Sequence, residues 1–91
     1  MIKCSYLLRS SKGKTIGIDL VVEGNRIIDV VIFGDFFAYP PEIIDELQSS
    51  LKNCKLDEVK DIIHKICSKS KLVGIDADDI VNVIFRAIEE C

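Results

Sequence analysis

The sequence predicts an α+β domain: a small antiparallel sheet, made of a hairpin and an N-terminal strand, with three helices packed on one face. Three observations carry this reading. Residues 15–33 alternate with period two and are rich in β-branched side chains. From Pro41 onward, apolar residues instead recur at helical spacing. Strands come first and helices after, the order of a domain that segregates its helices to one side of an antiparallel sheet.

The first strand is expected from about Lys3 to Arg9, with Ser10-Ser11-Lys12-Gly13-Lys14 as the turn after it. In Thr15–Val22, the side chains of Ile16, Ile18, Leu20 and Val22 fall on one face. Glu23-Gly24-Asn25 is the turn, because Gly and Asn both tolerate positive φ. Arg26–Phe33 is the return strand. The sequence leaves the pairing register open. A three-residue loop with Asn25 left-handed would pair Val22 with Arg26 and set Ile28, Val30 and Ile32 beside the first apolar set. The opposite face then carries Asp19 and Asp29, but also Val21, Ile27, Val31 and Phe33. Such a face is too apolar to be simply solvated; it calls for another strand, a helix or a partner.

The rest of the chain is expected to be helical. Pro41 suits a first helical turn, and Ile43, Ile44, Leu47 and Leu51 form one stripe. A second helix starts near Asp57, with Val59, Ile62, Ile63, Ile66 and Cys67 inward. Its acids (Asp57, Glu58, Asp61) precede its bases (Lys65, Lys69), as the helix dipole favours. A third helix follows Gly74. Asp76 is its N-cap, Ile75 can staple onto Ile80, and Ile80, Val83, Ile84, Ala87 and Ile88 form its buried stripe.

The 91 residues make a single domain, residues 1–91, with room for one modest core. Hydrophobic residues at 48% and charged residues at 30% exclude a disordered chain. A net charge of −3 lacks the basic balance of a nucleic-acid binder. No apolar run reaches the roughly 20 residues that a membrane span needs. The N-terminus lacks the apolar segment of a signal peptide, so the expected location is the cytoplasm, without a membrane partner.

The four cysteines, Cys4, Cys54, Cys67 and Cys91, include no CxxC pair. They read as small buried or half-exposed thiols in a reducing cytosol, not as a disulfide framework or a zinc site. His64 lies three residues before Cys67, which on a helix gives at most half a metal site, so no metal is expected. Nothing couples this lone histidine to a nucleophile and an acid, and no catalytic residue is assigned. Gly13-Lys14-Thr15 matches the end of a phosphate-binding loop, but Leu8 stands where that motif needs glycine, and a strand follows instead of a helix. The charged residues before Asp19 are all basic: Lys3, Arg9, Lys12 and Lys14. They form either a solvated turn or a positive patch near a phosphate or carboxylate, with Lys12 and Lys14 as the residues nearest such a group.

The most distinctive segment is Phe33-Gly34-Asp35-Phe36-Phe37-Ala38-Tyr39-Pro40-Pro41, which holds four of the six aromatic residues. It reads equally as a plug that closes the core and as an aromatic anchor for a partner. Phe36 and Phe37 are adjacent, so one can serve each purpose.

At this segment the sequence resembles a known family. A Gly13-Lys14 turn leads to a strand, then Val22-Glu23-Gly24-Asn25-Arg26-Ile27, a second strand, and Ile32-Phe33-Gly34-Asp35-Phe36-Phe37. After these come Pro41-Glu42 and short amphipathic helices. This is similar to the C-terminal accessory domain of lipoate–protein ligase A, from about residue 10 to residue 90. The resemblance implies an α+β layer similar to NifU/SufE-like scaffold domains. It implies a partner, a catalytic ligase subunit that uses ATP and lipoate to make lipoyl-AMP and then modifies lysines of lipoyl acceptor domains. The chain itself would bind no cofactor and would form a heterodimer. A methionine shortly before the similarity begins suits the arrangement in which the small domain is a separate subunit. Only Gly34, Asp35, Phe36 and Phe37 map onto the shared motif, and they are the candidate partner-binding residues. Two other readings compete: an iron–sulfur or sulfur-transfer scaffold, which needs clustered, activated cysteines, and a self-associating module that uses the spare sheet face.

Overall fold

A computed structural model describes residues 1–91. Strands β1 (Ile2–Arg9), β2 (Thr15–Glu23) and β3 (Arg26–Gly34) form an antiparallel sheet in the order β1-β2-β3. Ile16, Ile18, Leu20 and Val22 on central β2 are all buried, as their alternation predicts.

The hairpin differs from expectation in register. Its loop has two residues, Gly24-Asn25, with Glu23 opposite Arg26 and Val22 opposite Ile27. Gly24, not Asn25, takes the positive φ of +59°. Val21 faces Asp29, so Ile28 is the extra residue of a β-bulge. The bulge reverses the alternation near the turn. Ile27 enters the core and Ile28 is only half-buried, the reverse of the expected assignment. Beyond the bulge, Val30 and Ile32 are buried opposite Leu20 and Ile18, as expected. The outer edge of β3 is capped from within the chain. Ile27 N–H donates to the Cys54 carbonyl, and Ile32 N–H donates to Gln48 Oε1 at 2.8 Å.

Three helices follow: α1 (Ile43–Leu51), α2 (Val59–Cys67) entered through a 3₁₀ turn (Leu56–Glu58), and α3 (Ala77–Glu89). Each buries the stripe its spacing predicts: Ile43, Leu47 and Leu51; Val59, Ile63 and Ile66; Ile80, Val83, Ile84 and Ala87. Ile44, Ile62, Cys67 and Ile88 lie at the margins of these stripes, half-buried against the same core. α3 lies against β1 and β2, α1 lies against β3, and α2 packs on both helices. Asp76 caps α3 by accepting the Asp79 N–H, and Asp79 accepts the Asp76 N–H in return, both at 3.0 Å. Ile75, the expected staple, is buried beside this cap.

Two further features depart from the expectations. The part of the chain expected to be helical contains a strand: β5 (Lys71–Val73) pairs antiparallel with β4 (Phe37–Tyr39), in the aromatic segment, as a second small sheet. Cys4 and Cys91 form a disulfide, contrary to the reading of all four as free thiols. The bond ties β1 to the residue just past α3. With a sequence separation of 87 and no paired motif, only the packing of α3 on β1 brings these thiols together.

Candidate partner-binding surface

Three connections converge at one end of the molecule. The first is the β1–β2 turn. Ser10, the buried polar residue of the core, donates its hydroxyl to Asp79 Oδ2 at 2.6 Å and accepts the Lys12 N–H at 3.0 Å. The turn is thereby tied to the N-terminus of α3. Lys14 N–H donates to the Gly74 carbonyl at 3.2 Å, and the Lys14 side-chain stem fills the space that a Cβ on Gly74 would need.

The second connection is the corner between β3 and β4. Gly34 has φ +153°, and a Cβ there would meet the Thr15 carbonyl and the Phe36 ring. Asp35 latches the corner to β2: its Oδ1 accepts the Thr15 N–H at 2.7 Å and its own N–H donates to the Thr15 carbonyl at 3.3 Å. The Thr15 N–H bond is the main cause holding the Asp35 carboxyl below its ordinary pKa; desolvation, the next largest effect, opposes it, and Lys14 and Arg9 add to the lowering. The third connection, Gly74-Ile75-Asp76, runs from β5 into α3.

These links set the aromatic residues in two directions. Phe36 packs against the core. Phe37 is 55% exposed and Tyr39 56% exposed on β4. Directly paired residues of an antiparallel ladder share a face, so Phe37 and Val73 project together, as do Tyr39 and Lys71. Gly34, Asp35, Phe36 and Phe37 thus form one corner. Lys14 lies beside it, and Lys12 stands exposed on the adjoining turn. Val73 and Lys71 were missed in the sequence, because a three-residue strand carries no readable period. The only available cue was the β-branched Val73 just before Gly74.

A second apolar surface lies on the outer face of the large sheet, where Leu7, Val31 and Phe33 are exposed. The Phe33 ring and Leu7 cover the Cα of Gly17, leaving no room for a side chain. No element of the chain covers this face; the charges on it are of both signs, Lys3 with Asp19 and Asp29.

Elsewhere the titratable groups do not form a reactive set. His64 Nε2 lies 2.9 Å from Asp78 Oδ1 in an exposed pair linking α2 and α3. Burial pushes the thiols of Cys54 and Cys67 up, the opposite of the activation that a sulfur-transfer scaffold needs. No three His, Cys, Asp or Glu side chains converge.

Residues 8–84, which include every part of this corner, match the family described as the bacterial lipoate protein ligase C-terminus. The chain belongs to that family. The resemblance read at Gly34-Asp35-Phe36-Phe37 therefore holds, and so does the α+β architecture it implied. The chain is 30% identical over 77 residues to lipoate-protein ligase A subunit 2 of Thermoplasma acidophilum, covering 84% of this chain and 81% of that protein. It also superposes, with a TM-score of 0.79 and 27% identity, on a chain from the structure of an archaeal lipoylation system, a bi-partite lipoate protein ligase and its E2 lipoyl domain from the same organism. That match spans 90% of this chain and 96% of the other. Cys4 and Cys91 lie outside the matched residues 8–84.

Proposed function

We propose that this chain is the small subunit of a two-chain lipoate–protein ligase. It docks on a separate catalytic subunit in the cytoplasm and is needed there for ATP-dependent activation of lipoate to lipoyl-AMP. Lipoylation of acceptor-domain lysines depends on it in consequence. The observation that carries this reading is the extent of the likeness. The shared fold runs over nearly the whole of the solved chain, and the similar curated protein is itself named as a ligase subunit.

The subunit acts by binding and not by chemistry of its own. ATP and lipoate are held by the catalytic chain. Docking favours a closed state that keeps water from the reactive mixed anhydride. Gly34, Asp35, Phe36 and Phe37 form the contact corner: Asp35 fixes its backbone, Phe36 anchors it to the core and Phe37 faces the partner. Lys12 and Lys14, on the adjoining turn, lie toward the nucleotide phosphates of the complex.

The test is transfer to an acceptor. A lipoyl domain is incubated with ATP, lipoate and the catalytic chain of the same genome, with and without this protein, and its mass is measured. A lipoyl adduct that forms only with both chains present supports the proposal. Lipoyl-AMP added directly should relieve the requirement, since activation is the step assigned to the subunit. Full modification by the catalytic chain alone refutes it.

A further inference from the structure

The exposed face of the β4–β5 sheet is chemically one-sided. Phe37, Tyr39 and Val73 lie on it with Lys71, while Ala38 and Leu72 on the opposite face pack against the core. A further cation borders it: the Lys14 stem rests against Gly74, next to Val73. Of the neighbouring acids, Asp35 keeps its negative charge at the corner, where it accepts the Thr15 N–H, while Asp76 and Asp79 take part in the cap of α3. This surface offers an apolar centre with Lys71 on it and Lys14 at its edge, in a chain whose net charge is −3.

We propose that this face, centred on Phe37, Tyr39 and Val73 and flanked by Lys71 and Lys14, is the surface that docks on the catalytic subunit. The complementary surface there is an apolar patch bordered by carboxylates. The inference rests on the reading of the chain as a ligase small subunit and extends it from the shared corner to β5. Aromatic side chains at the centre supply affinity when desolvated, and rim charges govern the rate and salt dependence of encounter. The outer face of the large sheet presents mixed charges and selects no partner by sign.

The test titrates the catalytic chain with wild-type and variant protein at low and high salt, following association and dissociation optically. Tyr39→Ala should weaken binding about tenfold or more, chiefly through faster dissociation. Lys71→Glu, at an exposed position, should slow association about tenfold at low salt, and the difference should shrink as salt screens it. Lys3→Glu, on the outer sheet face, should bind as wild type. Each variant is melted alone, and the exposed Lys71→Glu provides a reading that does not depend on the fold tolerating loss of Tyr39. A wild-type complex left unchanged by both Tyr39→Ala and Lys71→Glu, or lost through Lys3→Glu, overturns the surface assignment and leaves the subunit reading standing. A wild-type chain that forms no complex overturns both.

Discussion

Phe36 and Phe37 are neighbours in sequence and should separate cleanly in experiment. Truncating a fully buried phenylalanine to alanine costs about 3–5 kcal/mol. Phe36 is only partly buried, though packed on the core, so Phe36→Ala should cost about 2–3 kcal/mol. Phe37 is 55% exposed, so Phe37→Ala should cost about 1 kcal/mol. In a domain of this size 1 kcal/mol moves the melting temperature by about 4–8 °C. The expected falls are therefore about 8–24 °C for Phe36→Ala and about 4–8 °C for Phe37→Ala. Both fit within a total stability of roughly 5–14 kcal/mol, so both variants should fold. Thermal melts give the first reading. Binding to the catalytic chain, measured well below both transitions, gives the second. Phe37→Ala should lose binding while keeping most of its stability, and Phe36→Ala should show the reverse balance. A larger melting loss for Phe37→Ala, or wild-type binding by that variant, would refute the division of roles.

Gly34→Ala forces a Cβ against the Thr15 carbonyl at a positive φ and should destabilise by about 2–4 kcal/mol; an unchanged melting temperature would contradict the described corner. Cys91→Ser removes a link of sequence separation 87, for which the loop-entropy relation gives about 4.5 kcal/mol; equal guanidinium midpoints for oxidised wild type and variant would count against the bond. The Asp35 carboxyl is lowered chiefly by the Thr15 N–H, so its folded pKa lies below its unfolded value of about 3.8. Its contribution is complete above the unfolded value and is lost as pH falls through the folded one. The stability gap between wild type and Asp35→Asn should therefore close on acidification, and a gap independent of pH would dismiss the latch.

The parts of the fold legible in the sequence are those with long, unambiguous periods. The three helical stripes and the Asp76 cap follow from spacing alone, as does the core face of β2. The hairpin register was not legible, because Ile27 and Ile28 are both apolar and satisfy either alternation. The two-residue loop, which sets Ile27 opposite Val22, decides that Ile27 goes inward, and the bulge then returns Val30 and Ile32 to the core face. β4 and β5 escaped because each has three residues and its partner lies more than thirty residues away in sequence. The disulfide escaped for a related reason: it is a consequence of α3 packing on β1, not of any local motif. Within the candidate surface, Gly34–Phe37 was visible as an aromatic corner after a hairpin. Lys71, Val73 and the Ser10–Asp79 link were not, since tertiary pairing alone brings them there.

The central claim is a dependence of lipoate activation on this chain. The most direct measurement mixes the catalytic ligase chain of the same genome with ATP and lipoate and follows pyrophosphate release and lipoyl-AMP, with and without this protein. Release that requires both chains, saturating at equimolar ratio, is the expected result. Equal release without this chain, together with no detectable complex, would contradict the assignment and leave the family membership as a shared fold.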